Sequence, residues 1–150
     1  MTSGLNKKRQ AELLRDWEKG SLEWSRSRYR LSSMRYYAQV RGGMIQRLLS
    51  SHYSKNRLLL VDIACGSGVL VDYLSRSENC RLIIGLDFSE SMLSLSKMGK
   101  NGPGDTKKFF CRASAFELPL KDNCLDVVLS TRFIHLYEDE LKRELIKEMR

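Results

Sequence analysis

Three groups in this chain have the residue types and spacing for chemistry on a small ligand. Asp62 ends the apolar run Leu58-Leu-Leu-Val-Asp-Ile63, and the loop Ala64-Cys65-Gly66-Ser67-Gly68 follows at once. Asp87 ends a second apolar run, Arg81-Leu-Ile-Ile-Gly-Leu-Asp87, one strand-helix-strand repeat further on. Glycines in such a loop let the backbone approach a ligand with no Cβ in the way. A carboxylate at the end of the next strand can accept both hydroxyls of a ribose. The third group is His135, whose ordinary pKa suits proton transfer near neutral pH.

Strands and helices must hold these groups together. Leu58 to Ile63 is short and almost continuously apolar, as a parallel strand covered on both faces should be. Val69 to Leu74 has helical spacing, so the unit reads strand, glycine loop, helix. A dinucleotide fingerprint G-x-G-x-x-G would place a third small residue at Val71, counting from Gly66, or at Val69, counting from Ala64. Neither is small, which disfavours a pyrophosphate site and a dehydrogenase-type domain. Ser89-Glu-Ser-Met92 starts a helix behind an N-cap serine. Strands are expected at Lys108 to Ala113 and Leu125 to Ser130, separated by a loop with Pro119 and an Asp122-Asn123 turn. A last helix is expected from Glu140 to Arg150, with Leu141, Leu145, Ile146 and Met149 in register.

Taken in order, these pieces resemble the class I S-adenosylmethionine-dependent methyltransferases, of the kind that act in quinone and other small-molecule biosynthesis. Asp62 to Gly68 is similar to the family's D-x-G-x-G-x-G, with Ala64 in place of the first glycine. Ser114-Ala115 falls where the family has Asp-Ala, so a hydroxyl stands where a carboxylate would meet the adenine edge, and weaker cofactor binding is expected. Thr131 to Asp139 resembles the histidine-bearing stretch after the fourth strand, with His135 matching its first histidine and Leu136 replacing the second. Ser130-Thr131-Arg132-Phe133 stands where enzymes that methylate exocyclic amines carry N/D-P-P-Y/F. The resemblance implies an α/β fold: a Rossmann-like, doubly wound parallel sheet with helices on both faces, preceded by N-terminal helices. It implies S-adenosyl-L-methionine as cofactor, S-adenosyl-L-homocysteine as product, and methyl transfer to a small-molecule acceptor, most simply a carbon or oxygen nucleophile. The cofactor-binding residues it implies are Asp62, Ala64, Cys65, Gly66, Gly68, Asp87, Phe88, Met92, Ser114, Ala115 and Ser130, with His135 catalytic or structural. In this scheme Asp62 orients the glycine loop through backbone hydrogen bonds, Asp87 holds the ribose and Ser114 and Ala115 hold the adenine. Metal is not required. The family's sheet has a fifth strand and a closing antiparallel pair, so the C-terminal strands are expected to be missing: a truncated product, a fragment, or half of a homo- or hetero-oligomer that completes the sheet.

Residues 1–57 form a second region, a basic helical cap ahead of the cofactor domain at 58–150. They hold thirteen Lys or Arg against four acids, a net +9, whereas 58–150 hold thirteen against fourteen, a net −1. Helices are expected at Leu5 to Lys19, with Leu13, Leu14 and Trp17 on one side, and at Ser33 to Ser50, where Met34, Tyr37, Val40, Met44 and Leu48 keep a 3.6 period. Gly42-Gly43 would weaken the second helix by about 1 kcal/mol each, enough to allow a kink or break. In the family such helices cover the cofactor, which makes Tyr29, Arg35, Tyr36 and Tyr37 candidates for the methionine carboxylate. The Ser25-Arg-Ser-Arg-Tyr-Arg30 cluster has the chemistry for nucleic acid or an anionic membrane surface, without a recognised RNA or DNA module beside it. Cys65, Cys80, Cys111 and Cys124 lack metal spacing and read as reduced, small apolar fillers of a cytoplasmic protein, an organellar address remaining open. A cofactor-binding module without catalysis, or a methyltransferase acting on RNA or protein, are the alternative readings.

Overall fold

The computed structural model describes residues 8–9, 11–16, 18–20, 23, 32–53 (side chains from 36), 57–96 and 107–150. The expected Ser25 to Arg30 cluster with Tyr29, the side chain of Arg35, Trp17 and the polar loop Gly99 to Asp105 lie outside them. Helix α1 (Ser32–His52) leads to β1 (Leu58–Ile63), α2 (Val69–Leu74), β2 (Cys80–Asp87), the short α3 (Glu90–Leu93), β3 (Lys107–Arg112), β4 (Val127–Ser130), a 3-10 turn (Ile134–Leu136) and α4 (Asp139–Glu148). The described part of 11–20 is helical, as expected.

All strand pairs are parallel, in the order β3-β2-β1-β4, which is the doubly wound arrangement expected. β1 is central and buried on both faces, and its side chains alternate between two cores. Leu58 and Leu60 meet Leu49 of α1 and Leu70, Val71 and Leu74 of α2. Val61 and Ile63 meet Leu141 and Leu145 of α4, with Ala115 and Tyr137. Asp62 follows the parity of Leu60 and faces the α1/α2 side. The strand order reverses between β2-β1 and β4, and there the C-terminal ends of the strands leave a crevice.

Three expectations about the elements need correction. α1 runs unbroken through Gly42-Gly43. A Cβ on Gly42 would lie 2.5 Å from the Tyr73 ring, so this glycine lets α1 sit directly on α2. The periodic apolar stripe of this helix is turned outward: Tyr37, Val40, Met44 and Leu48 are exposed, and the buried face is Ala38, Ile45 and Leu49. β4 begins at Val127 rather than Leu125, because Asp126 is used as a tie: its carboxylate accepts from the Leu59 N–H at 2.7 Å. The cysteines are all free, but only Cys80 is buried; Cys111 and Cys124 are exposed, and Cys124 precedes the strand, so these two are not apolar fillers. Beneath the β3 side of the sheet Lys108 Nζ meets Asp72 of α2 at 2.6 Å, with the lysine side chain 8 % exposed.

Candidate active site

A cavity of about 380 Å³ opens at the C-terminal ends of β1, β2 and β4, in the size range of small-molecule sites. The glycine loop forms its floor. Cys65 N–H donates to the Leu86 carbonyl at 3.0 Å, carrying the β1–β2 ladder one residue into the loop. Gly66 N–H then donates to Asp87 Oδ2 at 2.7 Å, and Ser89 N–H donates to Oδ1 at 2.9 Å. Asp87 therefore ties the loop after β1 to the turn after β2. Asp62 was expected to orient the loop and does not: its side chain lies on the α1 side, below the turn. Ala64 and Gly66 both adopt left-handed backbone, φ 59° and 57°, where glycine is the residue of least strain.

Asp62 is 2 % exposed, and its Oδ1 has no hydrogen-bond partner. Burial pushes its pKa up to about 7, the Arg41 guanidinium opposes the rise and the Asp87 carboxylate adds to it. Burial also raises Asp87, against the Ser89 and Gly66 N–H bonds that favour its charged form. Because Asp62 holds its proton in the folded chain to about pH 7 but loses it near 3.8 when unfolded, its contribution to stability is present in full below 3.8 and is lost as pH rises to about 7. Denaturant unfolding across this window should show the wild type losing stability with rising pH relative to Asp62→Asn, and a constant difference between the two would contradict that assignment.

Of the residues named from the sequence, Asp62, Ala64, Cys65, Gly66, Asp87, Phe88, Met92, Ala115 and His135 line the cavity. Three expected residues do not. Gly68 caps α2 with φ 73°, and a Cβ there would lie 2.5 Å from the Phe110 ring, so its role is in the turn. Ser114 is turned into its own loop, where Oγ accepts from the Phe116 N–H at 3.2 Å; Ala113, Ala115 and Phe116 form that wall instead. Ser130 Oγ is buried without a hydrogen-bond partner, and the next residue, Thr131, reaches the cavity.

The sequence reading missed Arg41. Tyr36 and Tyr37 point to solvent, whereas Arg41 lines the cavity with its Nε buried and without a hydrogen-bond partner. The usable signal was a charged residue in register with Ala38 and Ile45 on the buried side of α1. Tyr137 was missed as well. It is buried edge-to-face against Phe116 and Phe133, and burial pushes its hydroxyl pKa up to about 12. Leu14 closes the cavity from the N-terminal residues, which are held by the Arg9–Glu138 ion pair and by Ser91 N–H donating to Glu18 at 3.3 Å. Arg112 braces the turn after β2, donating from Nε to the Phe88 carbonyl at 2.9 Å and pairing with Glu90 at 3.0 Å.

Comparison with known proteins matches residues 61–150 to the family described as a methyltransferase domain. The chain belongs to that family. Among curated relatives, it is 30 % identical over 88 residues to the phthiotriol/phenolphthiotriol dimycocerosates methyltransferase 1 of Mycobacterium ulcerans, covering 59 % of this chain and 31 % of that protein. The chain spans less than half the length of the first curated relatives it matches. Two solved structures share its fold at 18 % identity. The magnesium protoporphyrin IX methyltransferase of Synechocystis PCC 6803, solved with bound SAH, superposes with a TM-score of 0.66 over 88 % of this chain and 64 % of that one. The plantazolicin methyltransferase BpumL, in complex with a monoazolic desmethylPZN analog and SAH, gives 0.64 over 97 % and 56 %. This methyltransferase-family chain therefore has the Rossmann-like fold read from its sequence.

Proposed function

We propose that the cavity holds S-adenosylmethionine and that the protein transfers the methyl group to a small-molecule acceptor through a carbon or oxygen nucleophile. The observation that carries this reading is Asp87: its carboxylate stands at the cavity wall at the end of β2, held by the Gly66 and Ser89 N–H groups at 2.7 and 2.9 Å, and a carboxylate's four lone pairs are more than these bonds use. The other groups fit the cofactor. The buried Nε of Arg41 suits a carboxylate, Asp62 suits an ammonium, and apolar Phe88, Ala113, Ala115 and Phe116 suit an aromatic base. Support for the cofactor also comes from the SAH named with both structural neighbours. Support for the acceptor class comes from the relatives' names, which give a porphyrin and phthiotriol dimycocerosates as substrates.

When bound, the cofactor supplies an electrophilic methyl group on sulfur. This chain's residues bind and align, a contribution of about 7 to 11 kcal/mol when both partners are held in near-attack geometry. Asp87 takes the ribose hydroxyls, Arg41 and Asp62 the methionyl end, and His135, exposed at the cavity mouth, the proton of the acceptor. The free thiols, two of them exposed, support a reducing, cytoplasmic setting.

S-Adenosylhomocysteine and 5′-methylthioadenosine separate the two ends of the site, because the second lacks the amino-acid carboxylate. Arg41→Met should weaken S-adenosylhomocysteine by about 10- to 100-fold, the worth of a bond to a charged group, and leave methylthioadenosine unchanged. Equal losses for both ligands, or no binding of either by the folded wild type, would overturn the reading.

A further inference from the structure

The regular apolar stripe of α1 is exposed and has no partner among the described residues. Tyr37, Val40, Met44 and Leu48 are 64, 39, 55 and 58 % exposed and recur every three or four residues, so one side of the helix carries them all. An adjoining side, about one residue's rotation away, is used by the domain, through Ala38, Ile45, Leu49 and the close contact of Gly42 with Tyr73. A helix with two apolar sides is built for two neighbours.

Charge identifies the second neighbour. From Trp24 to Val61 there is no Asp or Glu, while eight Lys or Arg occur, three of them, Arg35, Arg41 and Arg47, within α1. Arg47 is exposed directly beside Leu48. Aromatic and aliphatic side chains joined to unbroken positive charge are the chemistry of a helix that lies in a lipid interface. No described helix is long and apolar enough to cross a membrane.

We propose that α1 docks flat on an anionic lipid bilayer, with Tyr37, Val40, Met44 and Leu48 at the boundary between headgroups and acyl chains and Arg47 against lipid phosphates. A second copy of the chain fits less well, since it would bring two segments of net +9 together. Nucleic acid would use the charge and leave Val40, Met44 and Leu48 in water. Arg41 of the same helix lines the cavity, which places the bilayer within about one helix diameter, roughly 10 Å, of the cavity wall. An acceptor dissolved in the lipid would then reach the site without crossing bulk water. That last step rests on the function proposed above; the docking itself does not.

The test is cosedimentation of the chain with vesicles of phosphatidylcholine alone and of phosphatidylcholine mixed with phosphatidylglycerol, at low and high salt. Binding should occur on the anionic vesicles only and weaken with salt. Met44→Glu combined with Leu48→Glu should reduce it at least about tenfold, and Arg47→Gln about fivefold, both with unchanged thermal melting because the side chains are exposed. Absence of binding, equal binding to neutral vesicles, or binding that survives both variants would overturn the proposal. So would a dimer in sedimentation velocity that the glutamate variant dissolves. S-Adenosylhomocysteine affinity measured on the same samples reports on the cavity separately, and its failure leaves the lipid result standing.

Discussion

Asp87→Ala should lower the affinity for S-adenosylhomocysteine by about 100- to 10,000-fold, the value of two hydrogen bonds to a charged acceptor. The size of the effect follows from two tasks performed by one side chain. Its oxygens face the cavity, and they also hold the Gly66 and Ser89 N–H groups at 2.7 and 2.9 Å, so truncation removes a ligand contact and unties two loops together. Asp87→Asn separates the tasks. It keeps one acceptor oxygen and loses the charge, and should weaken binding by about tenfold while holding most of the melting temperature. Isothermal titration with thermal melting of both variants checks this. Wild-type affinity in Asp87→Ala would remove the residue from the site.

The largest expected effect on stability lies on the β3 side of the sheet. Asp72→Ala takes the counter-charge from a nearly buried ammonium, since Lys108 Nζ pairs with Asp72 at 2.6 Å and its side chain is 8 % exposed. Removing one partner of such a pair costs about 3 to 5 kcal/mol, or roughly 6 to 15 °C in Tm for a domain of this size. Replacing both, Asp72→Leu with Lys108→Met, should restore most of the loss, because no charge then remains to be solvated. Denaturant melts of the single and double variants test the point, and a single variant as stable as the wild type would show that water reaches Lys108.

Much of this architecture was legible in the residues. Leu58 to Ile63, the glycine loop and Asp87 appear where a strand-loop-helix reading puts them, because a twice-covered strand has an unmistakable apolar run and a left-handed turn demands glycine or tolerates a small residue such as Ala64. What stayed hidden depended on which neighbours the elements meet. Two apolar stripes, Tyr37–Val40–Met44–Leu48 and Ala38–Ile45–Leu49, lie about one residue apart on α1, and only the fit of Gly42 to Tyr73 decides between them. That rotation also brought Arg41, rather than Tyr36 or Tyr37, to the cavity. The shift of the loop tie from Asp62 to Asp87 likewise required the register of β1 on β2, which places Asp62 opposite Gly85 and Ile63 opposite Leu86, one step short of Asp87. Ser114 satisfied the local demand of its own turn before any demand of a ligand.

On the function proposed, this cavity recognises an adenosyl amino acid and not a dinucleotide. Isothermal titration of the purified chain with S-adenosylmethionine, S-adenosylhomocysteine and NAD tests it most directly. Micromolar binding of the first two with no heat from NAD is the predicted result. Preferential binding of NAD, or silence toward all three from a chain that melts cooperatively, would contradict it.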